Sequence, residues 1–183
     1  DILRSKDPTG SIDRIIGSAD DPAVFPVRQF DVVLAVFNLL FNLETEAAQR
    51  RCFEGVAATM KPTGRFIVES SVPEPVTERR TDLVTRSVEP NRVILIATNS
   101  NPSTQTILGN HIELTNGSVR LRPWTIRVAT PTELDSMADA AGLELTERFE
   151  DFDEVDFTPG DSAHHVSVYR LANDRPARAV ADR

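Results

Sequence analysis

Phe30-Asp31-Val32-Val33-Leu34-Ala35-Val36-Phe37-Asn38 is the stretch on which the fold turns. After Asp31 it is apolar as far as Phe37. A continuous apolar run of this length signals burial on both faces, as in the middle of a parallel sheet. Asn38 to Leu43 leaves the strand. Thr45 is placed to cap a helix, with Glu46 in the first turn, where a carboxylate meets the positive end of the helix dipole. The helix is expected to run to about Lys61, with Cys52, Phe53, Val56, Ala57 and Met60 as its buried stripe. Pro62-Thr63-Gly64 stops it. Arg65 to Glu69 is a second buried strand. Strand, helix and strand joined by short connections make a βαβ unit, and parallel neighbours require such a crossover.

Upstream, Ser11 to Ala19 reads as a short strand carrying Ile12, Ile15 and Ile16, and Phe25 to Arg28 as a connector. Downstream, Ser71 to Pro90 is polar with three prolines and reads as a loop with at most one helical turn. An antiparallel meander follows, with strands at Val93–Ala97, Ser103–Leu114 and Val119–Val128. Asn116-Gly117 is the preferred pair for a type I′ hairpin turn, and Pro123 suits an edge strand or a bulge. The apolar face of the meander is expected to carry Trp124 and Ile126. Thr132 is placed to cap a helix lined by Leu134, Met137, Ala138 and Ala141 and ended by Gly142. Leu143–Phe149 and His164–Leu171 read as the last strands, around an acid-rich loop. The expected organisation is an α/β core at 1–90, an antiparallel insert at 91–129, the rest of the core at 130–172 and a frayed tail at 173–183.

The chain of 183 residues suits one domain and needs no disulfide scaffold. A net charge of −8 argues against a non-specific nucleic-acid partner. The single cysteine, Cys52, rules out intrachain disulfides and cysteine-based zinc sites, and a reducing, cytoplasmic setting fits best. No apolar run reaches membrane-spanning length, so no membrane partner is expected. The chain opens at Asp1 without methionine, and Asp1 to Lys6 reads like the tail of a helix, so a piece of a longer protein is expected.

Groups able to carry chemistry are sparse. His164 and His165 are adjacent, so on a strand they face opposite ways and cannot share one metal, and no metal site is expected. Cys52 lies on an apolar stripe, where a thiol acts as a small hydrophobe. The acidic loop lacks calcium-loop spacing and reads as a solvated edge. The remaining signal is positional. Ligands of open α/β sheets sit beyond the carboxyl ends of the strands, which here are Gly17-Ser18-Ala19-Asp20, Val36-Phe37-Asn38 and Glu69-Ser70. These stretches read equally well as ordinary exits from strand to loop.

The run Phe30–Asn38, its continuation Leu39–Leu43, the helix through Cys52-Phe53, and Met60-Lys61-Pro62-Thr63-Gly64-Arg65-Phe66 resemble the fourth strand and following motif of class I S-adenosylmethionine-dependent methyltransferases. They are most similar to the small-molecule branch with an antiparallel insert after strand five. Thr63 stands where that family usually has a second glycine. The resemblance implies a Rossmann-like, mostly parallel sheet lacking its first two strands, with a β-meander insert. It implies S-adenosylmethionine as cofactor, contacted by Gly17, Ser18, Ala19, Asp20, Val36, Phe37 and Asn38. Ser18 replaces the acid usual on the adenine side, with Asp20 as a substitute. A small-molecule methyl acceptor would meet Trp124 and Arg127, and Glu69, ahead of His111, would be the base. The insert would roof the acceptor pocket or form a homodimer contact. The glycine-rich first loop and the acid ending strand two, which hold the methionine end and the ribose, have no counterpart in the sequence.

Three expectations follow: the C-terminal part of a small-molecule methyltransferase, a non-catalytic remnant serving binding or dimerisation, or an unrelated α/β binding domain. With two strands lacking, either Ile12–Ile16 collapses onto the open edge of Val32–Val36, or that edge stays exposed and the cofactor site is half formed.

Overall fold

The computed structural model describes residues 5–26 and 30–172. Residues 1–4 of the expected helix tail, the second half of the connector at 27–28 and the tail at 173–183 lie outside the described residues. Strand β1 (Phe30–Ala35) is followed by a 3-10 turn at Leu39–Asn42, helix α1 (Glu46–Thr59) and strand β2 (Met60–Ser71). Thr45 caps α1, its hydroxyl accepting from the Ala48 N–H. β1 and β2 are parallel neighbours in register Leu34 to Ile67, as the βαβ reading requires.

Four strands follow: β3 (Thr81–Glu89), β4 (Arg92–Asn101), β5 (Thr106–Thr115) and β6 (Ser118–Arg127). They form a separate antiparallel sheet in the order β3-β4-β5-β6. Helix α2 (Pro131–Ala140) and strands β7 (Leu143–Phe149) and β8 (His164–Leu171) complete the chain, and the main sheet runs β1-β2-β8-β7.

The core lies between the main sheet and its two helices. Phe53 of α1 meets Phe66 of β2 and Tyr169 of β8 edge-on, with ring centroids 5.5 and 6.1 Å away. Leu40, Leu134 and Met137 are buried beside them. The expected stripe of α1 is borne out by Cys52, Phe53 and Val56. Burial pushes the Cys52 thiol up to about 12, so it stays protonated and apolar in behaviour.

Several expectations are corrected. The main sheet is not mostly parallel among the described residues: β2–β8 and β7–β8 are antiparallel, and only β1–β2 is parallel. β1 is not buried on both faces. Val33 and Ala35 turn toward the helices, whereas Val32 and Leu34 are 53% and 57% exposed, and no described strand pairs with the outer edge of β1.

Ser11–Ala19 is irregular rather than a strand, and it does not collapse onto that edge. Asp7 accepts hydrogen bonds from the Ser11 and Ile12 amides, curling the segment locally, and Ile12, Ile15 and Ile16 are exposed. Their spacing of three and one is not the alternation a half-buried strand needs.

The segment read as a loop before Pro90 contains β3, a strand at the sheet's edge whose polar residues face water. The hairpin turn does sit at Asn116-Gly117, but only Gly117 has a positive φ, +90°, whereas type I′ needs two. The cap of α2 is Thr130, whose hydroxyl accepts from the Glu133 N–H, because Pro131 fills the first helical position and moves the start two residues back from Thr132.

Candidate active site

The carboxyl ends of β1 and β2 meet in an unusual turn. Phe37 and Asn38 both adopt positive φ, 57° and 56°, and the Leu39 N–H donates to the Val36 carbonyl across them. Two left-handed central residues give the type I′ sense, and neither is glycine. For a bulky residue such as Phe37 that conformation costs free energy and persists only where its surroundings enforce it.

The enforcing contacts come from β2. The Phe37 N–H donates to Glu69 Oε2 at 2.5 Å. Asn38 Oδ1 accepts from the Ser71 N–H at 2.7 Å and from the Ser71 hydroxyl at 3.1 Å. The Asn38 N–H donates to the Glu69 carbonyl at 3.4 Å. The result is a phenyl ring held outward, 86% exposed, over the end of the sheet.

That ring borders a cavity of about 570 Å³. Val36, Glu69, Asp151, Phe152 and His164 also line it. The acidic loop is therefore more than a solvated edge. It folds back through the Glu150 N–H to Val155 carbonyl bond of 2.7 Å and brings Asp151 and Phe152 to the cavity. His164 lines the cavity, while its neighbour His165 is fully buried with Nδ1 2.8 Å from Ser167 Oγ, which matches the expected opposite orientation. Burial, with Arg148 next in effect, pushes His165 down to about 4, so it is neutral. The sequence signal for the loop was Phe152, an aromatic residue set among acids.

The expected site residues are only partly assembled. Val36, Phe37 and Glu69 share the cavity, and Asn38 stands next to it in the same turn. Gly17, Ser18, Ala19 and Asp20 do not line it. Gly17 packs on Val24, where an added Cβ would lie 2.1 Å from a methyl carbon. Asp20 accepts from the Ser18 hydroxyl and pairs with Arg51 of α1 at 2.5 Å. Its carboxyl is held below the ordinary range by those contacts, the Ser18 bond first.

Arg127 lies deep between the second sheet and the helices. It donates to Gln49 Oε1 at 2.6 Å and pairs with Glu133 at 2.5 Å. It reaches a second, polar cavity of about 470 Å³ beside Thr45, Gln105 and Thr125. Trp124 lines neither cavity and instead covers Gly109, where any Cβ would strike the indole. His111 lies beside Trp124 with its ring tilted at 44°, 6.1 Å between centroids, away from Glu69's cavity. Among the described residues no group of three or more His, Cys, Asp or Glu could hold a metal ion, and no helix is long and apolar enough to cross a membrane.

A βαβ unit bearing the cavity at its strand exits, an antiparallel sheet, then an antiparallel closing pair is an arrangement shared with solved S-adenosylmethionine-dependent methyltransferases, which the chain resembles. It is similar to the CcbJ methyltransferase from Streptomyces caelestis, at 38% identity and a TM-score of 0.73, over 80% of this chain and 63% of that one. It also resembles an S-adenosylmethionine-dependent methyltransferase from Clostridium acetobutylicum, at 8% identity and a TM-score of 0.75, over 93% and 70% of the two chains. DesVI from Streptomyces venezuelae matches at 20% identity and a TM-score of 0.54, over 90% and 67%. The last two likenesses show the fold alone. The chain thus spans less than two thirds of the length of CcbJ. No model of a known protein family matches the sequence, and no curated protein does.

Proposed function

We propose that the chain carries the methyl-transfer side of an S-adenosylmethionine-dependent methyltransferase acting on a small-molecule acceptor. The observation that carries this reading is the cavity at the exits of β1 and β2, lined by Glu69 and Asp151 and by the exposed rings of Phe37 and Phe152. Carboxylates and aromatic faces attract cations. The cofactor fits that chemistry, with a sulfonium and an ammonium group. It supplies an electrophilic methyl carbon: the acceptor's lone pair forms the new bond, and the carbon–sulfur bond breaks with its electrons left on sulfur.

Such a displacement needs alignment more than acid–base chemistry, which suits a site with few reactive groups. In this reading Val36, Phe37 and Asn38 seat the methionine end, and the Glu69 lock fixes their positions. Glu69 Oε1, the oxygen not bonded to Phe37, takes the proton that an amine acceptor sheds. Gly17, Ser18, Ala19 and Asp20 form the adenine side, and the open edge of β1 takes the further strands of the sheet. Arg127 borders the acceptor side through the polar cavity. The homodimer expected of the insert also belongs to this reading.

A second reading, a non-catalytic binding or dimerisation module, is favoured by the position of Gly17–Asp20 outside the cavity. Incubation with methyl-labelled S-adenosylmethionine and a panel of small amine acceptors separates the two. Label in an amine product supports the enzyme, whereas bound cofactor with no labelled product at any acceptor supports the module.

A further inference from the structure

Asn116-Gly117 is the whole loop between β5 and β6, because Thr115 and Ser118 are register partners. Both loop residues are exposed. The Thr115 and Ser118 hydroxyls, 2.6 Å apart, tie the base of the turn. Gly117 has a φ of +90°, and no atom lies within 4 Å of the position a Cβ would take. Its N–H donates to no group among the described residues. The backbone nitrogen that follows the Asn116 side chain is therefore unshielded and unbonded. The Asn116 carboxamide reaches across the tip of the sheet, its Nδ2 donating to Asn91 Oδ1 in the β3–β4 turn at 3.3 Å.

The other asparagines lack this combination. The chain has eight, and only Asn116 precedes a glycine. Asn99 also has a small successor, but the Ser100 N–H donates to the Arg80 carbonyl at 2.8 Å. A nitrogen held in that way cannot turn toward the preceding side chain without giving up its bond. Glycine, without a Cβ, leaves its own nitrogen open on every side and lets the backbone rotate.

We infer that Asn116 is a site of spontaneous modification, in which the Gly117 nitrogen displaces the side-chain amide. The Gly117 nitrogen bonds to Asn116 Cγ, and the bond from Cγ to the carboxamide nitrogen breaks. That nitrogen leaves as ammonia, carrying the proton the Gly117 nitrogen has shed through water. A cyclic imide remains. Water then opens it at one of two carbonyls. Cleavage at Cγ gives aspartate, and cleavage at the backbone carbonyl gives isoaspartate, with the chain running through Cβ. Water is the only co-reactant. Each product alters the tip. Both place a carboxylate where an N–H met Asn91 Oδ1, and both add a negative charge to a chain already at −8. Isoaspartate also lengthens the loop by one backbone carbon, and the length of a hairpin loop fixes the register of its strands.

Incubation of the folded 183-residue chain in mildly alkaline buffer, followed by anion exchange and peptide mapping, tests this chemistry. More acidic chains should accumulate, carrying aspartate and isoaspartate at position 116 before any other asparagine changes. Asn116→Gln should abolish that species, because the longer side chain must close a larger ring. Gly117→Ala should slow it at least about tenfold, since the new Cβ shields the nitrogen and stiffens the backbone. Circular dichroism confirms that both variants fold. A synthetic peptide of residues 112–121 separates the dipeptide's own reactivity from that of the hairpin. A folded chain that stays unmodified while the peptide reacts overturns the inference. Modification that starts at another asparagine, or that proceeds unchanged in both variants, overturns it too.

Discussion

The Phe37 amide and the Glu69 carboxylate, 32 residues apart in sequence, form one hydrogen bond of 2.5 Å that joins the exits of the two parallel strands. The bond holds a phenylalanine in a left-handed conformation while its ring stays in solvent. Strain without burial gains nothing for stability, and in the proposed reading its use lies in the cofactor site. Phe37→Gly should therefore raise stability by about 1 kcal/mol, since glycine takes positive φ freely and little burial is lost. The same variant should weaken cofactor binding several-fold. Urea unfolding and ligand titration together check both signs.

In the proposed reading Glu69 has two separable duties, holding the Phe37 turn and taking a proton. Glu69→Gln keeps an oxygen acceptor for the Phe37 amide but no base, so cofactor affinity should stay within about threefold while turnover falls by about 100-fold or more. Glu69→Ala releases the turn and should lose affinity as well. Comparing Kd with kcat across the two variants separates positioning from proton transfer.

His165 titrates near 4 in the fold and near 6.5 once unfolded. The unfolded chain thus binds the extra proton between those values. The stability His165 contributes is present in full above pH about 6.5 and is lost as pH falls toward 4. Between pH 7.5 and 4.5 this one group should cost about 2 kcal/mol. His165→Gln should remove that part of the slope, seen as the difference between the variant's and the wild type's denaturant midpoints at the two pH values.

Arg127 ties the second sheet to both helices through Gln49 and Glu133, and Gln49 Nε2 in turn donates to the Leu40 and Arg127 carbonyls, each at 3.0 Å. Arg127→Met leaves the buried Gln49 oxygen without its donor and Glu133 without its pair. A loss of about 3 kcal/mol is expected by calorimetric or denaturant unfolding. Arg122→Met, on the exposed face, should cost under about 1 kcal/mol.

The βαβ unit, the cap at Thr45 and the buried stripe of α1 were legible because each rests on local rules: a continuous apolar run, an N-cap and a helical period. The strand β3 was missed because an edge strand with polar residues turned to water looks like a loop when its partner β4 is unknown. Ser11–Ala19 went wrong for the converse reason: three isoleucines suggested burial, but Asp7 curls the segment locally and it pairs with no described strand, the open edge of β1 included. In the site, Val36, Phe37 and Glu69 came from strand exits, which sequence can place. Asp151, Phe152 and His164 came from a loop folding back by backbone bonds and by the antiparallel β2–β8 register, which sequence spacing does not encode.

The central claim is that the exits of β1 and β2 receive S-adenosylmethionine. Amide-resolved nuclear magnetic resonance of the 183-residue chain, titrated with the cofactor into the millimolar range, tests it most directly, because weak binding still leaves a map. The account predicts saturable shifts clustered at Val36, Phe37, Asn38, Glu69 and Ser71 and at the loop carrying Asp151 and Phe152, and their loss in Glu69→Ala. An unchanged spectrum, or saturable shifts confined to other parts of the chain, would contradict it.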